Sequence, residues 1–161
     1  MAAIALRQFT SVTSGGASET AGFVAKQIEQ WRRQLQDSYA LGQQAKGSLN
    51  ELYQVFDECR QANWDGYSAT PVPVRTFQSA YEFLEALPLG TPAPSIGAEP
   101  DGHITLEWYH SPRHTFSVSV SPEGELHYAA LMGASKAYGT EAFFGEVPKE
   151  IIDLIRRVTF G

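Results

Sequence analysis

Residues 104–108 read Ile104-Thr105-Leu106-Glu107-Trp108, residues 116–120 read Phe116-Ser117-Val118-Ser119-Val120, and residues 126–130 read Leu126-His127-Tyr128-Ala129-Ala130. Apolar side chains recur at every second position in all three. That is the pattern of antiparallel strands with one face on a core and the other in water. Short turn sequences link them: Pro100-Asp101-Gly102, Ser111-Pro112-Arg113 and Pro122-Glu123-Gly124. A glycine closing a three-residue hairpin loop supplies the left-handed residue such a loop needs. With three residues in every loop the pairing follows. Leu106 lies opposite Val118 and Val118 opposite Tyr128. Ile104, Val120 and Leu126 form a second row, and Trp108, Phe116 and Ala130 a third. A preceding strand sets Ile96 opposite Leu106 and Ala98 opposite Ile104. All these apolar side chains then share one side, which a slip of one residue would destroy. A fifth strand is expected at Lys136 to Tyr138, after Gly133-Ala134-Ser135.

Outside this meander the period changes to that of helices. Val24, Ile28, Trp31 and Leu35 form one stripe of a helix expected from Glu19 to Tyr39, with Ser18 as its cap. A second helix is expected from Leu49 to Gln61. In it Ser48 and Glu51 make a capping box, and Leu49, Leu52, Tyr53, Phe56 and Cys59 form the buried face. A third should follow Pro73, burying Val74, Phe77, Ala80, Tyr81, Leu84 and Leu87, and end at Pro88. The last should start near Pro148 and bury Ile151, Ile152, Leu154, Ile155 and Val158, with Arg156 and Arg157 near the negative end of its dipole. The fold class is therefore α+β: an antiparallel meander of four or five strands, packed on one face by helices, with two N-terminal helices. The organisation expected is a flexible arm over 1–18, where 10–18 read TSVTSGGAS, an amphipathic helix over 19–45 that docks or binds a partner, and a core domain over 46–161.

Composition narrows the functional classes. Of 161 residues, 43% are hydrophobic and 19% charged, which suits a folded chain with its own core. Twelve basic against eighteen acidic residues give a net charge of −6, so attraction to phosphate cannot be the overall design, and a nucleic-acid or anionic-membrane binder is disfavoured. A single cysteine, Cys59, excludes an internal disulfide and multi-cysteine metal sites. No apolar run reaches the ~20 residues of a membrane span. The start of the chain is too broken for a secretory signal, and a cytoplasmic location is the expectation. There is neither a GxxxxGK[ST] nor a GxGxxG pattern, and no cofactor is expected.

Three groups of residues are candidates for chemistry. Trp64, Asp65 and Tyr67 flank an Asp-Gly turn. They read as a corner whose two aromatics plug the core, or as an aromatic platform with Asp65 as acid or acceptor. On the solvent face of the meander, Thr105, Ser119 and His127 fall in one row, and Glu107 and Ser117 in the next. Serine, histidine and glutamate are the ingredients of nucleophilic catalysis, but a flat sheet offers no oxyanion hole and no shelter from water. No catalytic assignment is made. His110 and His114 flank one turn, but Glu107 should face away from His110, so no metal centre is expected either.

The stretches NWDGYSATPVP (63–73), EPDGHITLEWY (99–109), FSVSVSPEGELHYAAL (116–131) and YGTEAF (138–143) resemble a group of small bacterial proteins of unassigned function. The resemblance runs from about Asn63 to Val158 and does not include the first forty residues. It implies that the Trp64 corner and the Glu107-Trp108-Tyr109 strand belong to one unit, and it brings no activity, cofactor or catalytic residue with it.

By elimination the expected role is a protein-binding module of chaperone, immunity or antitoxin type. The partner would meet the small-residue sheet face or the first helix, and that helix could also form a homodimer. The alternative is a small hydrolase working on the outer sheet face or the Trp64-Asp65-Tyr67 corner. A weaker third reading is a nucleic-acid regulator using the pairs Arg32-Arg33 and Arg156-Arg157.

Overall fold

The computed structural model describes residues 45–161. The expected arm, the helix over 19–39 and its partner-binding stripe of Val24, Ile28, Trp31 and Leu35 lie outside the described residues. Helix α1 occupies 45–59. It is followed by α2 (Val74–Ala86), β1 (Ser95–Ala98), β2 (Ile104–Ser111), β3 (His114–Val120), β4 (Glu125–Met132), β5 (Ser135–Ala142) and α3 (Lys149–Phe160). The five strands form one antiparallel sheet in the order β1-β2-β3-β4-β5.

The register is the one the turn residues dictate. Ile96 pairs with Leu106 and Ala98 with Ile104. Leu106 pairs with Val118, Ile104 with Val120 and Trp108 with Phe116. Val118 pairs with Tyr128, Val120 with Leu126 and Phe116 with Ala130. Every even-numbered residue from Ile104 to Trp108 and from Phe116 to Val120 is buried, and α2 and α3 pack on that side. Leu106 and Val118 are wholly excluded from water, a burial that contributes ~1.5–3 kcal/mol for each side chain. Ile151, Leu154, Ile155 and Val158 of α3 complete the core, while Ile152 is half-buried. The Trp108 indole closes it off by donating from Nε1 to the Pro92 carbonyl at 2.7 Å.

Several expectations are corrected. Helix α1 already includes residue 45, so Ser48 lies inside the helix and is buried. Glu51 does not close a capping box. Its Oε1 accepts a hydrogen bond from the Ile96 backbone N–H at 3.0 Å, so it satisfies the outer edge of β1 instead. In α2 the buried residues are Thr76, Ala80 and Phe83, and Val74 is 60% exposed. The apolar stripe is therefore turned relative to the expectation, because Phe83 faces the core at Phe143 while Phe77 stacks sideways on Tyr53 and Phe56. The β2–β3 loop has two residues, Pro112 and Arg113, because Ser111 pairs with His114 and a bulge at His110 takes up the extra residue. β5 is longer than expected. It alternates between half-buried Ala137, Gly139 and Glu141 and exposed neighbours, and Gly139 lies beneath the Tyr128 ring, where a Cβ would sit 2.5 Å from the phenol oxygen.

Candidate functional site on the outer sheet face

The side of the sheet opposite the helices carries the polar rows. Thr105 pairs with Ser119, Ser119 with His127 and His127 with Thr140. Glu107 pairs with Ser117, Ser117 with Ala129 and Ala129 with Tyr138. Tyr109 stands one step along β2 from Glu107. It is 62% exposed and Tyr138 is 83% exposed, so two large aromatics rise from this face among small residues. Ser117 and Ala129 form the floor between them. Glu107 is exposed beside Tyr109, and among the described residues no side chain is bonded to it.

The Thr105, Ser119 and His127 row is built, but not as a catalytic relay. The Thr105 and Ser119 hydroxyls both donate to one oxygen, Oε1, of Glu99, and lie 3.0 Å from each other. His127 turns the other way. Its Nδ1 meets the Thr140 hydroxyl at 2.9 Å and its Nε2 faces Glu125 at 3.7 Å. The Ser119 hydroxyl is thus committed to a carboxylate, and His127 is not placed to take its proton. Clefts of about 250 Å³ and 70 Å³ open elsewhere, beside the connector from α2 to β1, and neither reaches this row.

Glu99 is the residue that sequence reading missed, and it lies opposite His103. Both belong to the β1–β2 hairpin, just outside the strands. The Glu99 N–H donates to the His103 carbonyl at 2.9 Å and the Gly102 N–H to the Glu99 carbonyl at 3.0 Å. Continuing the Ala98–Ile104 pairing by one residue would have set them opposite each other. Asp101 completes the turn, accepting from the His103 N–H at 3.3 Å. One ligand atom each from Glu99, Asp101 and His103 lie within 4.8 Å of one another. The His103 ring stacks on His127, centroids 5.8 Å apart and planes 22° from parallel. The His110 and His114 rings meet edge to face at 6.2 Å, and the Ser111 hydroxyl lies 3.2 Å from His114 Nδ1.

The corner at Trp64 has one aromatic plug, not two. Trp64 is half-buried and its Nε1 donates to the Thr70 carbonyl at 3.0 Å. Tyr67 is 90% exposed and plugs nothing. Asp65 Oδ1 accepts from the N–H groups of Tyr67 at 2.7 Å and Ala69 at 3.0 Å, which makes it the acceptor that shapes the loop. Asn63 and Ser68 hold positive φ of 61° and 72°, stabilised by the Asn63 side-chain oxygen accepting from the Ser68 N–H. Cys59 is buried at the end of α1, and burial, helped by the Glu58 charge, pushes its thiol up, away from a reactive thiolate.

The chain matches no family model, no curated protein and no solved structure. Among the described residues, no helix is long and apolar enough to cross a membrane.

Proposed function

We propose that the protein is a binding module without catalytic chemistry, of chaperone, immunity or antitoxin kind, and that the outer sheet face receives its partner. The observation that carries this reading is the pair of exposed tyrosines, Tyr109 and Tyr138, on a face that no described helix covers. Tyrosine is enriched at protein interfaces because it offers a large rigid apolar body with a polar tip. β2 and β5 are three strand spacings apart, so the tyrosines bracket a trough roughly 14 Å wide. An α-helix with its side chains is about 10–12 Å across and fits that width.

Charge narrows the partner further. Glu107 and Glu125 are exposed on this face, and Lys136 is exposed towards its β5 edge. The partner segment therefore carries lysine or arginine, with an apolar residue to cover Ala129 between the tyrosines. The chain's net charge of −6 would speed encounter with such a partner.

The test is affinity capture from the source organism with the parent protein and with the double variant Tyr109→Ala/Tyr138→Ala. A stoichiometric basic partner, lost with the double variant but retained by Phe160→Ala on the helical side, supports the reading. Capture of nothing by the parent, or equal capture by the double variant, overturns it.

A further inference from the structure

We propose that the β1–β2 hairpin is a binding site for a divalent first-row transition-metal ion, held by Glu99, Asp101 and His103. The donor set is one imidazole nitrogen and two carboxylates. That mixture suits zinc and its neighbours in the series, whereas calcium and magnesium favour oxygen alone. Three protein ligands and an open position are also the composition of an accessible zinc site.

The geometry is close to what coordination requires. Donors ~2.0–2.2 Å from a tetrahedral ion sit roughly 3.3–3.6 Å apart. The three donor atoms here already lie within 4.8 Å of one another, and rotation of the one exposed ligand, Asp101, closes the remaining gap.

The backbone beneath them is fixed from three sides. The Glu99–His103 pair closes the hairpin. The Thr70 N–H donates to the Pro100 carbonyl at 2.7 Å, tying the turn to the loop before α2. Gly102 holds φ +89° with the Pro71 carbonyl 3.2 Å from where a Cβ would be.

The side chains are oriented as well. Thr105 and Ser119 both bond Oε1 of Glu99, which aims that carboxylate and leaves Oε2 as a donor. The His103 ring lies near-parallel to that of His127 on β4, with its Nδ1 3.5 Å from Asp101 Oδ2. Two hydroxyls from two strands and an imidazole from a third thus converge on ligands supplied by a single turn. The docking argument rests on Tyr109 and Tyr138, neither of which is a ligand or touches one here, so the site stands or falls separately from it.

The experiment is a titration of the full chain with Zn²⁺ alone against a chromophoric chelator, with the Co²⁺ absorption spectrum as a second readout. One ion per chain should bind with micromolar affinity or better. His103→Ala and Glu99→Gln should each weaken binding at least tenfold, while His110→Ala/His114→Ala leaves it unchanged. Circular dichroism of each variant checks that the fold persists, and a visible Co²⁺ band lost in His103→Ala reports ligation independently of stability. Absence of saturable Zn²⁺ binding below ~100 μM, or binding that survives His103→Ala and disappears in His110→Ala/His114→Ala, overturns the proposal.

Discussion

Gly139 and Tyr128 show how one residue can constrain another across a sheet. The phenol ring lies over the glycine, and a methyl group at 139 would meet it at 2.5 Å. Gly139→Ala must push Tyr128 out of its contact with Phe116, at a cost of ~1–3 kcal/mol, read as a lower urea midpoint. Thr76 gives the opposite expectation. It is fully buried in α2 and, among the described residues, its hydroxyl has no hydrogen-bond partner. Thr76→Val keeps the shape and removes the unmet group, so the midpoint should rise, by about 1 kcal/mol in stability. Neither residue stands out in the sequence: a threonine and a glycine announce solvent and turns, and only the packing around them reverses that.

At the scale of elements, the strands were legible because two independent signals agreed. Alternation fixed which residues face the core, and the loops around Gly102 and Gly124 fixed the offset between strands. Helix α1 was harder. Ser48 and Glu51 have the spacing of a capping box, yet one is buried inside the helix and the other reaches the β1 edge, a contact 45 positions away in sequence. Sequence spacing records neighbours along a helix and is silent on distant ones. The site divides the same way. Thr105, Ser119 and His127 were placed correctly in one row, but Glu99, which organises two of them, lies beyond the strand end and was not considered. The Glu51 contact yields a prediction for the element it holds. Glu51→Ala leaves the Ile96 N–H without its partner and should destabilise the fold by about 1–3 kcal/mol, with faster hydrogen exchange concentrated in β1.

For the whole molecule, pH reads out the same core. Burial, reinforced by Glu150 and Glu141, raises the Tyr128 phenol above its ordinary value. A group whose folded pKa is raised contributes its full stability below the unfolded value, about 10 for tyrosine, and loses it as pH rises through the folded one. Stability should therefore fall on the alkaline side, and Tyr128→Phe should flatten that limb in urea titrations between pH 8 and 11. Asp153 acts at the acid end. A hydrogen bond from Lys149 lowers its pKa, so its contribution is present above the unfolded carboxyl value and is lost as pH falls through the folded one. Lys149→Ala should remove that acid-side component without touching the alkaline limb, a comparison best made at low salt because the pair is exposed.

The two borders of the sheet are unequal. β1 is four residues long, with Glu51 occupying the Ile96 amide and Thr70 fastened at Pro100, whereas β5 runs for eight residues with no described element beside it. A chain of molecules joined strand to strand needs two sticky ends on each link, and the described residues offer a single end. Should two copies ever meet along β5, each would use up the one opening the other's described residues leave, and growth would halt at a pair instead of running on into a fibre.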